Sequence, residues 1–306
     1  MLIIMRSPIA NKTHYPNGIT LLDNKFIELF ENEKGPGSLP LRKSFEENKE
    51  PVKAIIVPHA PYDLAGHAMA WGYKALAEEG LASNLYIIFA QAQSSEESGT
   101  SMQTFQTPYG EVRTDQTFIR ALIEKKHIKL NDKLHDQEST IEIQLPFLQY
   151  INKSEMEKVK IIPIIVNSET EFSELAVDIK ETLVDQGKEA TFIFISNLTS
   201  YGRNFKYVPF TEKIPENIAH VDKQFIDAIK ETDAEKFELA LKDTLAPISG
   251  YYALMMFFSL CKGDKVLLEQ NYLSGDINKN YHTTVSYASF IVKTLNKLAD
   301  VVAEDI

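Results

Sequence analysis

The sequence is poor in cysteine, because Cys261 is the single cysteine among its 306 residues. No disulfide can form within these residues, and neither a Cys-x-x-Cys zinc ribbon nor a dithiol redox site is possible. This composition is typical of a protein from a reducing compartment. Cys261 ends an apolar run that begins at Tyr252, which predicts a buried thiol on a helix rather than a reactive one.

Long apolar stretches and an excess of basic residues are also missing. No run approaches the roughly 18 apolar residues of a membrane span, and the apolar stretch at residues 1–5 is too short for a signal peptide. The formal net charge of -11 disfavours a broad surface for nucleic acid or anionic membrane, because both ligands attract basic patches. We therefore expect a cytoplasmic protein that binds neither nucleic acid nor membrane.

The common catalytic motifs are absent as well. The sequence has no GxxxxGK(S/T) phosphate loop, no GxGxxG after a strand, no GxSxG elbow and no HExxH metal pair. Its seven histidines are scattered along the chain, and a lone histidine is more often a packed or surface residue than a ligand. These absences exclude the usual signatures of nucleotide-binding proteins, hydrolases and zinc proteases.

Five short runs rich in β-branched residues predict buried strands. Their near-continuous apolarity is typical of strands covered on both faces. Pro163 lacks a backbone N–H and therefore either weakens the prediction of the third strand or places that strand near an edge of the sheet. The predicted strands span residues 52–57, 85–90, 159–166, 190–195 and 284–292.

Helical patterns occupy the segments between these strands. In one of them, Leu175, Ile179 and Leu183 share a face of a predicted helix. Strands that alternate with helices predict an α/β fold with a central, largely parallel sheet covered by helices on both faces. No internal repeat is present, and we predict one domain over residues 1–306. The predicted helices span residues 64–80, 115–126, 140–150, 171–186, 216–231 and 233–242, followed by one around Leu254.

Ligands of such sheets bind beyond the carboxyl ends of the parallel strands. His59 and Tyr62 follow the first predicted strand, Gln93 follows the second, and Asn197 and Ser200 follow the fourth. These polar side chains form a candidate cleft if the strand ends converge. On residue types alone, ordinary hydrophilic loops are the simpler interpretation.

Seven stretches of the chain have an order and composition that point to one family. Residues 57–62 (Val-Pro-His-Ala-Pro-Tyr), 139–147 (Ser-Thr-Ile-Glu-Ile-Gln-Leu-Pro-Phe) and 195–202 (Ile-Ser-Asn-Leu-Thr-Ser-Tyr-Gly) carry most of this signal. The other stretches are residues 7–16, 107–115, 162–164 and 285–288. Together they resemble the Memo family (AmmeMemoRadiSam system protein B type), and the resemblance covers nearly the whole chain. It implies a fold similar to that of class III extradiol dioxygenases.

The family's metal site consists of three histidines and a late cysteine, and the resemblance implies where these positions fall in this chain. His59 keeps its imidazole, whereas the second position is Gln93 or Ser94, the third is Ser200 and the fourth is Ser249. Amide and hydroxyl oxygens bind iron, copper or zinc poorly compared with imidazole and thiolate. We therefore expect that the metal site is lost and that the chain has no cofactor.

Acidic residues near these positions do not replace the missing ligands. Asn197 stands where the family has an aspartate, so that charge is absent. Glu142 matches a family glutamate on a helix, and we expect it to have a structural role or to support the metal-ligand residues rather than to bind a metal. Four other carboxylates lie in polar, loop-like sequence and are expected to be solvated surface groups; they are Glu96, Glu97, Asp136 and Glu138.

Three hypotheses for function follow from the resemblance. The first is a pseudoenzyme that acts as a binding or scaffold protein for an unknown protein partner, an intact paralogue or a small polar ligand. The second is a metal-independent enzyme on a small polar substrate with His59 as general acid or base, and the third is a residual metal-dependent oxidoreductase. A cleft closed by its own side chains favours the first, whereas an open cleft with a shifted His59 pKa favours the second.

Overall fold

Eleven strands form one mixed sheet in the computed structural model, which describes residues 4–41, 50–93 and 95–294. In chain order the strands are β1 (Met5–Arg6), β2 (Val52–Val57), β3 (Leu85–Gln91), β4 (Gly99–Thr100), β5 (Thr104–Thr107), β6 (Gly110–Thr114), β7 (Lys160–Val166), β8 (Thr191–Ile195), β9 (Ser200–Gly202), β10 (Lys265–Leu273) and β11 (Thr283–Lys293). The path through the sheet is β1-β5-β6-β7-β3-β8-β2-β11-β10, while β4 pairs with β7 and β9 with β11.

The middle of the sheet is parallel, as the sequence predicts. Strands β6, β7, β3, β8 and β2 all run in one direction, and β11 and β10 add an antiparallel edge. The five predicted strands correspond to β2, β3, β7, β8 and β11, with bounds that agree within one residue. The carboxyl ends of β2, β8 and β3 therefore lie side by side at one edge of the sheet.

Helices cover both faces of this sheet. They are α1 (Ile19–Glu31), α2 (Tyr62–Glu79), α3 (Gln116–Glu124), α4 (Asp132–Gln137), α5 (Leu145–Ile151), α6 (Phe172–Asp185), α7 (Ile214–Lys230), α8 (Ala234–Thr244), α9 (Tyr251–Leu260) and α10 (Ser274–Asn278). Side chains alternate along each strand, so Ala54 and Ile56 face the core under α6 to α9, while Ile55 and Val57 face the core under α1, α2 and α5. Among the residues that the structure places, every helix is too short or too polar to cross a membrane.

Pro163 lies in a strand inside the sheet, so the third strand is present and the alternative that placed it near an edge is wrong. Its strand β7 has β3 on one side and β6 on the other, but β6 pairs only as far as Ile161. The Pro163 carbonyl accepts a hydrogen bond of 2.8 Å from the Thr100 hydroxyl of β4. Because the N and O atoms of one strand residue point to the same side, the missing N–H faces the gap between β6 and β4. No bond to β3 is lost there.

A buried ion pair anchors the N-terminal segment to the middle of the chain. The guanidinium of Arg6 lies 2.7 Å from a carboxylate oxygen of Glu142, and both side chains are at most 1% exposed. The same carboxylate accepts hydrogen bonds from the backbone N–H groups of Ile9 and Ala10, each at 2.9 Å, and from the hydroxyl of Tyr15. These contacts confirm the structural role expected for Glu142.

Candidate functional site

Polar side chains from four loops meet at the carboxyl ends of the parallel strands. His59 follows β2, Gln93 follows β3 and Asn197 follows β8, while Ser249 lies just before α9. The side chains of His59, Gln93 and Ser249 form a continuous chain of hydrogen bonds: Nε2 of His59 is 3.0 Å from Oγ of Ser249, and that Oγ is 3.1 Å from Oε1 of Gln93. We refer to these three side chains as the neutral triad.

Asn197 fixes the position of His59 through the backbone. Its Oδ1 accepts a hydrogen bond of 3.0 Å from the His59 N–H, and its Nδ2 donates one of 3.0 Å to the His59 carbonyl. The Asn197 N–H donates to the carbonyl of Ser249 at 2.8 Å. One buried carboxamide therefore holds the loops that carry two members of the triad.

Gly250 allows Ser249 to approach β8 closely. Its φ of +96° lies in the left-handed region, and a Cβ at this position would lie 2.3 Å from the Ile195 carbonyl oxygen and 2.7 Å from the Ser196 Cα. Both neighbours are backbone atoms that cannot move without shifting the end of β8. A glycine is therefore required for the turn that brings Ser249 to His59.

The hydrogen-bond partners assign the tautomer of His59. Nε2 of Gln93 donates to the Gln91 carbonyl at 3.2 Å, so its Oε1 faces Ser249 and can only accept. The single hydrogen of the Ser249 hydroxyl then points to Gln93, and His59 must donate from Nε2 to Oγ of Ser249. In this arrangement His59 does not present an Nε2 lone pair, and it does not act as a base toward Ser249.

His59 is neutral in this environment. Burial is the main cause that lowers the pKa of its imidazole to about 4. Nearby Glu138 acts in the opposite direction and raises this pKa, while His14 lowers it further. The charged form is disfavoured because the surrounding protein desolvates the imidazole and the other two members of the triad carry no charge to offset this. The triad therefore has no formal charge near neutral pH.

We expect the His59 imidazole to stay neutral until the pH falls to about 4, as measured by NMR of the ring nitrogens and carbon-bound protons. The unfolded chain takes up this proton near the ordinary value of 6.5. The contribution of His59 to the free energy of unfolding is thus largest above pH 6.5 and decreases as the pH falls toward 4. His127 is an internal reference, because its hydrogen bond with Asp178 raises its pKa. A His59 midpoint above 6 would contradict the burial argument.

Glu138 is buried, so the expectation that it is a solvated surface group is wrong. It is 6% exposed, and its carboxylate accepts hydrogen bonds of 2.7 Å from the Gln93 N–H and of 3.1 Å from the Thr140 N–H. It therefore holds the loop that carries Gln93. A short-range signal was present in the sequence, since a threonine two residues later can close a local turn on this carboxylate. The other three carboxylates of that group, Glu96, Glu97 and Asp136, are exposed as expected.

Tyr62 and Ser200 do not join the triad. Tyr62 is 1% exposed, packs against Phe147 and Phe26, and donates its hydroxyl hydrogen to the carbonyl of Ile143. Ser200 is buried in β9, where its N–H donates to the Pro247 carbonyl at 3.0 Å. Ser94 lies outside the described residues. Of the implied metal-ligand positions, the structure thus brings together His59, Gln93 and Ser249.

The donor set at these positions does not fit a transition-metal ion. It consists of one imidazole, one amide oxygen and one hydroxyl, and the last two bind such ions weakly when neutral. In the assigned arrangement, the lone pairs of Ser249 Oγ and Gln93 Oε1 already accept hydrogen bonds within the triad. Over residues 4–41, 50–93 and 95–294, no group of three or more His, Cys, Asp or Glu side chains is arranged to hold a metal.

Comparison with known proteins identifies the family. The family model described as Memo-like protein matches residues 6–291. A MEMO1 family protein of Pyrococcus horikoshii is 27% identical over 94% of this chain and 99% of its own length. Another, of Methanobrevibacter smithii, is 28% identical over 95% of this chain and 100% of its own length. The chain therefore belongs to the Memo-like protein family.

Proposed function

We propose that this chain is a binding protein of the Memo-like family that acts without a metal. The observation that carries the proposal is the neutral triad, in which His59, Ser249 and Gln93 are hydrogen-bonded to one another. Because these three groups satisfy one another's hydrogen-bonding capacity, they leave no open coordination position for a metal ion. Their hydrogen bonds to one another support a binding or scaffold role, with Gln93 exposed at the edge of the cleft.

Next to the triad, a polar depression offers a place for a ligand. It has a volume of about 300 Å³ and is lined by Gln91, Gln93, Asn167 and Tyr252, among others. Carboxamides both donate and accept hydrogen bonds and carry no charge. Glu96 adds one carboxylate to the lining, so this surface suits a small polar molecule without negative charge or the backbone of a protein partner, such as an intact paralogue.

Elemental analysis tests the proposal directly. Protein purified without chelators or an affinity metal column is expected to contain no stoichiometric iron, copper or zinc. The same result is expected after anaerobic addition of Fe(II) or Cu(I), because the neutral triad has one strong metal ligand in place of three or four.

The matched control is His59→Ala, which removes that one imidazole. Wild type and variant are expected to give the same metal content. About one metal per chain in the wild type, lost in His59→Ala, would overturn the proposal and restore metal-dependent oxidation as the leading function.

One observation favours an alternative, which is a metal-independent enzyme. A hydroxyl 3.0 Å from an imidazole is the distance of a nucleophile–base pair. The His59 pKa is shifted, as this alternative expects, but the shift is downward to about 4, which makes the imidazole a weak base at neutral pH. The assigned tautomer and the competing acceptor Gln93 also oppose it. A His59 pKa near neutrality in the NMR titration would favour this alternative.

A further inference from the structure

A pocket that shares no residue with the neutral triad opens between the end of β9 and the start of β11. Its volume of about 470 Å³ lies within the range of pockets that bind small molecules. Tyr201 and Val208 form the apolar part of its lining, and Val208 is 43% exposed. The described residues of the lining include no carboxylate. Its polar part comprises Arg203, Asn204, Thr211, His282 and Thr283.

Gly202 brings the two sides of this pocket together. It lies opposite Thr283 in the pairing of β9 with β11. Its φ is +133°, and a Cβ at this position would lie 2.8 Å from the His282 carbonyl oxygen and 3.1 Å from the Thr283 Cα. A larger residue would push the two strands apart. The glycine therefore allows the next residue, Arg203, to line the same pocket as His282.

Hydrogen bonds and a ring stack hold the loop at residues 203–210 in place. The Gly202 N–H donates to the Tyr207 carbonyl at 2.8 Å, and the Tyr207 N–H donates to the Gly202 carbonyl at 3.2 Å. The Tyr201 ring stacks on Phe210 with 5.1 Å between the ring centroids, and its hydroxyl donates to the Phe210 carbonyl. The pocket is thus formed without a ligand, so binding requires little ordering of the backbone.

The polar groups of the pocket are not satisfied by the protein itself. Within the described part of the chain, the Arg203 guanidinium has no ion-pair or hydrogen-bond partner, and neither do the side chains of Asn204 and Thr211. The net charge of the chain is -11, yet residues 201–213 include three basic residues and one acidic residue. The pocket is therefore a local positive region that attracts anions.

We propose that this pocket binds the carboxylate of a small organic acid, with Arg203 as the principal contact. A guanidinium presents paired N–H groups that match the two oxygens of a carboxylate. Asn204, Thr211 and Thr283 supply uncharged donors for the remaining lone pairs. The exposed side chain of Val208 offers a surface for the apolar part of the acid. The proposal is independent of the function proposed for the neutral triad.

An NMR titration of the full-length chain with hexanoate near neutral pH tests this proposal. Hexanoate combines one carboxylate with a short apolar chain. The amide signals of Arg203 and Thr283 are expected to shift until they saturate, while those of Ser249 in the neutral triad stay in place. Hexanamide lacks the charge and is expected to bind at least about tenfold more weakly, because hydrogen bonds to charged groups contribute more than neutral ones.

Arg203→Gln is expected to weaken hexanoate binding by at least about tenfold and to remove the preference for hexanoate over hexanamide. Arg203 is exposed and has no partner among the described residues, so the variant should keep the wild-type fold, as checked by circular dichroism. The matched control is Arg113→Gln, which removes another exposed guanidinium, one that lies 3.7 Å from Glu111. It is expected to bind hexanoate like the wild type.

Four results would overturn the proposal. They are the absence of saturable shifts with hexanoate, equal affinities for hexanoate and hexanamide, equal weakening by Arg203→Gln and Arg113→Gln, and shifts centred on Gln93 and Ser249 in place of Arg203. Inorganic phosphate that binds more tightly than hexanoate, and that loses affinity in Arg203→Gln, would also contradict it, since the pocket would then be a phosphate site.

Discussion

Glu142→Ala is expected to lower the free energy of unfolding by about 3–5 kcal/mol, the effect of removing one partner from a buried ion pair. The guanidinium of Arg6 would remain buried without its carboxylate, since Arg6 is 1% exposed. The N–H groups of Ile9 and Ala10 would also lose their acceptor. Urea denaturation at neutral pH, followed by circular dichroism, measures the loss.

Two further variants show whether the loss comes from the unpaired charge. Glu181→Ala breaks an exposed ion pair with Lys125 at 2.6 Å and is expected to change stability little. Arg6→Met combined with Glu142→Leu removes both charges and is expected to recover part of the loss. A Glu142→Ala protein as stable as Glu181→Ala would show that the N-terminal segment is not held by this pair.

Gln93→His combined with Ser249→Cys is expected to convert a chain without stoichiometric metal into one that binds about one zinc or iron ion. The two substitutions supply an imidazole and a thiolate next to His59. Donor atoms in a tetrahedral zinc site are roughly 3.3–3.8 Å apart, given metal–ligand distances of 2.0–2.3 Å. The present distances of 3.0 and 3.1 Å between neighbouring members of the triad need only a small expansion.

Elemental analysis gives the metal content of this double variant, and the absorption of bound Co(II) reports the thiolate ligand. The matched control is Gln91→His combined with Ser249→Cys, because Oε1 of Gln91 accepts from the Tyr252 N–H, whereas Oε1 of Gln93 accepts from Ser249. Metal bound equally by both variants, or by neither, would show that the triad does not surround one coordination centre. Adding His59→Ala to the first variant is expected to abolish binding.

Much of the fold was predictable because the central strands carry uniform apolar runs. Strand β10 was missed, since a bulge between Leu268 and Gln270 interrupts its alternation of buried and exposed residues. Helix α1 was missed because Ile19 and Leu21 are exposed apolar residues that blur its buried face. The helix predicted at 140–150 begins as a 3-10 turn over Glu142–Gln144, and α5 starts only at Leu145, with Pro146 in its first turn.

The site was less predictable than the fold. Residue types after the strands indicated His59, Gln93 and Asn197, and family resemblance indicated Ser249. Their mutual hydrogen bonds depend on the tight turn at Gly250, which joins loops far apart in sequence. For Glu138, Thr140 gave a local signal of a turn on the carboxylate, but its burial also depends on the loop of Gln93, which is distant in sequence.

The double hydrogen bond of Asn197 with the backbone of His59 limits how this sequence can change. An aspartate at this position could accept from the His59 N–H, but it would place a second oxygen, with no hydrogen to donate, 3.0 Å from the His59 carbonyl. That repulsion would push the His59 loop away before any metal could compensate for it. Substitutions toward a family-like site therefore have a preferred order. Metal ligands at positions 93 and 249 must come first, because a bound cation is needed to offset the negative charge of an aspartate at position 197.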